Sequence, residues 1–294
     1  MAHYLPEIYA LATLLSLSVQ ILIIRAGTPH YSAYSASQIM TWGNLFLLGA
    51  WGLATEPLGA FTLPAVLYYA GSGVFGYTIS RTALCISYER VGAARTTAVH
   101  GSTPLLSAFM AVFWLGEPAG FWVFFGTAGV VAGVWIIAEE KGGGGWRRRD
   151  ILIPAAAAAA TAFSMVFRKM GLLIVNAPAL GIGVSCFTAA VLLPAVWRFT
   201  PRIEGSRCTL AGWGYLGLAA LVNSVGQFTL MRSIYTAGVA YTVPIYSASP
   251  LVVLVLAAIF LRQRERLTAR LALAVLLTVA GAILIAASRH GLLG

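Results

Sequence analysis

Ten times between residues 7 and 287 this sequence stays apolar for about twenty residues before a polar or turn-forming stretch interrupts it. The runs fall at roughly 7–25, 32–53, 64–87, 91–115, 119–138, 151–174, 177–198, 209–232, 238–261 and 267–287. "GTPH", "TEPLG", "GEP", "EEKGGGGWRRRD" and "NAP" mark turns between them. A helix needs about twenty residues to cross the hydrocarbon core of a bilayer. Only 10% of the residues are charged, where a soluble domain is about a quarter charged, so a water-facing surface could not be built from them. The expected fold class is an all-α membrane protein of ten transmembrane helices, with no residues left for a soluble domain. Met1 to Leu5 holds no Lys or Arg and no cleavage-type site follows, so no secretory signal is expected.

The net charge of +10 does not point to nucleic acid, because the basic residues sit in short loops and helix ends. Assigning the loops alternately to two sides puts fifteen of the 19 Lys and Arg on one side, Arg81 and Arg95 among them. Arg168, Lys169, Arg232 and Arg289 fall on the other. The positive-inside rule then places both termini outside the cytoplasm, and the expected location is a bacterial inner (plasma) membrane. Cys85, Cys186 and Cys208 form no CxxC pair and read as small apolar fillers. The four His and nine acids show no ligand spacing, so neither a metal nor another cofactor is expected.

"STPLLSAFMAVFWLGE" at 102–117 returns 146 residues later as "ASPLVVLVLAAIFLRQ" at 248–263. The same shift aligns Gly71 with Gly217, Leu84 with Leu230, Gly92 with Gly238 and Pro104 with Pro250, and a shift of 143 puts Arg25 on Arg168. Five helices per half is an odd number, so the second copy enters the membrane from the opposite face. The expected organisation is a first five-helix repeat at 1–138, a Gly/Arg-rich connecting loop at 139–150 and a second, inverted repeat at 151–294. Inverted repeats place a solute site at their interface, around a central cavity.

The proline-led apolar helix ending in "LGE", repeated in a second half, resembles the drug/metabolite transporter superfamily in its ten-helix EamA-like branch. The resemblance covers nearly the whole chain. It implies helices 1–4 and 6–9 around a central cavity, with helices 5 and 10 at the periphery. Three features depart from the pattern. The second "GE" is Arg262-Gln263, the usual Trp-Gly of helix 1 is absent from "YALATLLSLSVQ", and the family habit of cytoplasmic termini opposes the charge count.

Pro104, Pro244 and Pro250 break spanning helices, and a freed carbonyl in lipid needs a partner, for which Ser102, Thr103, Ser247 and Ser249 are at hand. The matched positions of Pro104 and Pro250 make them candidate bending points of a gate. Gly126, Gly129 and Gly133 on helix 5, and Gly71, Gly73 and Gly76 on helix 3, read as close-packing faces. Trp42, Trp51, Trp114, Trp122 and Trp197 read as interfacial belt. Polar side chains at membrane depth are candidate site residues. Tyr77 and Arg81 share a stripe of helix 3, and their repeat partners Asn223 and Gln227 share one of helix 8. Gln20, Thr41, Asn44, Arg95, His100 and Tyr246 complete the expected cavity lining; its Ser and Thr neighbours can equally bond back to their own helices.

All nine acids lie at predicted helix ends or in loops. A lipophilic cation would find no counter-charge at mid-membrane, whereas an anionic or zwitterionic solute would find arginines and amides. The expected activity is transport of small polar metabolites, amino acids or similar zwitterionic or anionic solutes, by alternating access. The rival readings are a carrier of phosphorylated or nucleotide-linked anions and a lipid-linked flippase. No nucleophile–base pair or metal motif suggests an enzyme. The expected partners are the solute and membrane lipids, not nucleic acid, and the chain is expected as a monomer, with a homodimer left open. A reporter fused after Gly294 should read the extracytoplasmic side, and a cytoplasmic signal would reverse the assigned orientation.

Overall fold

The computed structural model describes residues 4–91, 96, 99–118, 120–138, 148–198, 208–260 and 269–289. All ten expected helices are present among them. They are α1 (Leu5–Gly27), α2 (Ala33–Thr55), α3 in three continuous parts (Leu63–Ser72, Gly73–Ser80 and Arg81–Arg90) and α4, described over Thr103–Leu115. Then follow α5 (Phe121–Ala138), α6 (Leu152–Ile174), α7 (Pro178–Arg198) and α8 (Leu210–Ala237). Helix α9 comes in two pieces (Val239–Tyr246 and Ser249–Phe260), and α10 spans Ala269–Arg289.

Three helical stretches, Leu5–His30, Arg149–Ile174 and Pro178–Arg198, are long and apolar enough to cross a membrane by length and composition alone. Four of the others carry polar residues or an interruption. Helix α8 carries Asn223, Ser224 and Gln227, and α3, α4 and α9 each change backbone geometry partway. The outer wall is apolar: Phe113 is 74% exposed, Leu63 71% and Phe46 66%, while Thr41 and Asn44 are fully buried and Arg168 is 4% exposed. This inside-out distribution suits a hydrocarbon solvent, which offers polar groups no hydrogen bonds. Trp42, Trp51 and Trp114 face outward as expected. Trp197 does not: it is buried, donates to Thr82 Oγ1 at 3.1 Å and tilts against Tyr34, because Thr82 of α3 gives its indole N–H a partner inside the bundle.

The packing maps onto itself when the halves are exchanged. Helix α1 lies along α8 as α6 lies along α3; α1 meets α9 as α6 meets α4; α2 meets α8 as α7 meets α3. Helices α2 and α7, α4 and α9, and α5 and α10 pair with their own counterparts, the pattern of an inverted repeat. The expected glycine faces carry these contacts. A Cβ at Gly126 of α5 would sit 2.6 Å from the Gly281 carbonyl oxygen of α10, and one at Gly76 would strike Ser164 of α6.

Hydroxyls bond backbone carbonyls beside both breaks, and at Pro104 one of them takes the carbonyl that proline leaves free. Pro104 offers no N–H to the carbonyl four residues back, His100 O, and Thr103 Oγ1 donates to it instead at 2.6 Å. Ser102 Oγ donates to Val99 O, also at 2.6 Å, across the turn at 101–102. In the second half the turn falls at 247–248, 146 residues on, and Ser18 Oγ of α1 donates to Ser249 O at 3.3 Å.

Two Glu-Pro turns hold the halves together. The Glu56 carboxylate accepts the Ala179 and Leu180 N–H groups at 3.0 and 2.8 Å, and the Glu117 carboxylate accepts those of Val239 and Ala240, both at 2.9 Å. Each acid ends a first-half helix and satisfies the exposed N–H groups that start a second-half helix, where its charge also suits the helix dipole. Gly238 adopts φ +89°, and a Cβ there would meet Glu117 Oε2 at 2.6 Å, so this seat requires glycine twice over. Lys169 Nζ lies 4.0 Å from Glu117 and donates to the Ile234 and Tyr235 carbonyls at the end of α8. Glu117→Ala should lower stability by about 2–4 kcal/mol, read as a drop in the thermal midpoint in detergent, and Glu117→Gln, which keeps one acceptor, should lose less.

Candidate functional site

The helices that pack most closely across the halves bring their polar residues to one place. Glycines at 71, 73 and 76 weaken the α geometry of α3, and residues 73–80 widen into a π-helical stretch, in which Thr78 Oγ1 reaches back five residues to Gly73 O. This stretch carries Tyr77 and delivers Arg81 at its end. The Arg81 Nη1 donates to Ser37 O at 3.2 Å and Thr41 Oγ1 at 3.1 Å on α2. From α6, Arg168 Nε donates to Ser72 Oγ at 3.1 Å and Nη1 to Gln227 Oε1 at 2.9 Å. The same Gln227 oxygen accepts the Tyr77 hydroxyl at 3.1 Å, so two predicted repeat-related stripes meet at the interface.

The electrostatics of this cluster are one-sided. Both guanidinium carbons lie 5.3 Å from the centroid of the Tyr77 ring. They are therefore within roughly 11 Å of each other, which at an effective dielectric near 20 means at least about 1.5 kcal/mol of mutual repulsion. The ring face returns about 0.5–2 kcal/mol to each cation. Among the described residues the one ion pair is Lys169 with Glu117, and no carboxylate balances Arg81 or Arg168. The Nη2 of each arginine makes no hydrogen bond to a described residue, so each guanidinium keeps donor capacity at the interface.

One turn earlier on α8, a chain of amides crosses the interface. Asn223 Nδ2 donates to Gln20 Oε1 at 2.5 Å, Asn44 Nδ2 to Asn223 Oδ1 at 2.7 Å, and Ser224 Oγ to Asn44 Oδ1 at 2.9 Å. His100 stands apart: its Nε2 is 3.2 Å from Thr161 Oγ1, which pairs with Ser80 Oγ at 2.7 Å. Tyr246 packs against the same core within range of the Arg168 charge. Arg232 leans on the Phe228 ring, outside the cluster, and Arg95 lies outside the described residues. Two grooves of about 470 and 580 Å³ open elsewhere, between α1, α9 and α10 and between α2 and α8, and hold neither arginine of the cluster.

Thus Gln20, Asn44 and Asn223 form one connected set, and Thr41, Tyr77, Arg81 and Gln227 form another. Sequence reasoning missed Arg168, counted above with the charges near the helix ends. It lies six residues before the end of α6 and turns inward to α3 and α8. A signal existed: an arginine inside an otherwise apolar run, aligned with Arg25 of the first copy. Ser72 and Ser164, which seat it, were not singled out either.

An apolar exterior, exchangeable halves and an ionic interior define an integral membrane protein of the carrier type. The EamA-like transporter family matches residues 5–138 and 149–287, and the chain belongs to that family. Its members are transporters, not enzymes. A solved crystal structure shares the fold, with a TM-score of 0.78 over 98% of this chain and 99% of that one, at 19% sequence identity. No curated protein sequence matches the chain. In a background with Cys85, Cys186 and Cys208 replaced by Ala, Gln227→Cys should react with a water-soluble thiol reagent in membranes; full resistance under all conditions would mean that no aqueous path reaches the cluster.

Proposed function

We propose that the chain moves small carboxylate-bearing metabolites, amino acids or similar zwitterionic or anionic solutes, across a bacterial inner membrane by alternating access. One observation carries the reading: two guanidiniums flank Tyr77 at the interface of the halves with no carboxylate among the described residues to balance them. Holding such charges away from water costs several kcal/mol each unless a partner arrives, and a carboxylate is the natural partner of a guanidinium fork. A phosphorylated solute offers the same chemistry and is the second reading.

In this reading ten membrane-crossing helices form two inverted five-helix repeats, 1–138 and 151–294, joined by 139–150. Gln20, Thr41, Asn44, Tyr77, Arg81, Asn223, Gln227 and Tyr246 line a central cavity, joined by Arg168, with His100 toward one end; Arg95, expected from the sequence, lies outside the described residues. The exchange-symmetric packing supports this arrangement. The breaks at Pro104 and at Pro244 and Pro250 serve as bending points, and at Pro104 the hydroxyl of Thr103 takes the carbonyl that proline leaves free. The excess of Arg on the loops after the odd-numbered helices places both termini outside the cytoplasm.

Uptake of a labelled carboxylate and amino-acid pool into proteoliposomes tests the reading. Arg168→Ala should cut the initial rate at least tenfold, while Trp51→Ala, on the outer wall, should leave it unchanged. An Arg168→Ala protein that transports at the parental rate would remove the cluster from the solute path.

A further inference from the structure

We infer that the solute carries two negative charges and no ammonium group, as a dicarboxylate or a phosphate monoester does. The inference rests on the transport reading above and narrows its substrate class. The first argument is charge. Two cations share one small interior site, and among the described residues no carboxylate faces them. A zwitterion would cancel one charge and add another positive group beside the second. Glu56 and Glu117 are engaged with backbone N–H groups at helix starts, and Glu117 has the Lys169 ammonium beside it already.

The second argument counts donors and acceptors and is independent of charge. Every amide oxygen in the interior chain already accepts from within the protein. Gln227 Oε1 takes Tyr77 and Arg168, Asn44 Oδ1 takes Ser224, Asn223 Oδ1 takes Asn44, and Gln20 Oε1 takes Asn223. Gln227 Oε1, the oxygen nearest the arginines, is filled by two donors, while the two Nη2 atoms and the Nε2 amides of Gln20 and Gln227 make no hydrogen bond to a described residue. An ammonium adds three donors beside donors that already lack partners, whereas carboxylate and phosphate oxygens bring the acceptors those donors need. The guanidiniums are close enough for one small solute to touch both, each by a charge-assisted pair.

The test uses the purified chain in proteoliposomes with three probes at equal concentration: succinate, glycerol 3-phosphate and alanine, each followed by counterflow against its own unlabelled form. Succinate or glycerol 3-phosphate should exchange at least tenfold faster than alanine, and the faster of the two tells carboxylate from phosphate recognition. Alanine exchanging as fast as both would overturn the two-charge inference and leave the transport reading standing. No exchange of any probe would overturn both. A second measurement takes the ratio of succinate to lactate exchange, lactate having a single carboxylate, in the parent, Arg81→Gln and Arg168→Gln. The ratio does not depend on how much of a variant folds. It should fall at least tenfold in each variant, and a ratio unchanged in both would overturn the inference.

Discussion

Hydrocarbon gives a polar group nothing to bond to, and every unusual feature of this chain follows from that constraint. Backbone groups are satisfied within helices, and where proline removes a donor, a neighbouring hydroxyl supplies one, as Thr103 does for His100 O. Side chains that cannot live in lipid gather between the halves, where they serve one another: Asn223 with Gln20 and Asn44, Gln227 with Tyr77 and Arg168. The exterior left behind is apolar. A soluble fold would distribute the same residues the other way round.

The interface between the halves is therefore also where backbone regularity fails. Helix α3 widens over residues 73–80 where its glycines let α6 and α7 approach, and α9 breaks at 247–248 as α4 does at 101–102. A wider turn re-aims the side chains it carries, and here those are Tyr77 and the approach to Arg81. Packing and polarity thus reinforce each other: close contact at the glycine face of α3, against Phe167, Ser164 and Ser185, accompanies the stretch that presents the charged groups.

Much of this was legible before any coordinates. Apolar run length located the helices to within a few residues, and the doubled proline-led phrase located two breaks that the structure places 146 residues apart. The candidate pairs on helices 3 and 8 were visible because four-residue spacing on a helix means one face. What the sequence concealed were depth and rotation. Arg168 looks like an end residue by counting, and only the packing of α6 against α3 and α8 shows that it faces inward. Trp197 looked interfacial by type but is buried beside Thr82. Glu56 and Glu117 read as loop acids, because one-dimensional spacing cannot show that each reaches a helix start more than 120 residues away.

Those two acids leave the molecule with an edge. Both belong to the first half and both grip helix starts of the second. The 146-residue shift that aligns the copies puts Arg202 opposite Glu56 and Gln263 opposite Glu117, so the second copy has no carboxylate at either matching position. The two copies are therefore not interchangeable. Like covers bound along a spine, they are fastened among the described residues by carboxylates reaching from the first half to the second, and any splaying of the halves has an intrinsic polarity that a perfectly duplicated sequence would lack.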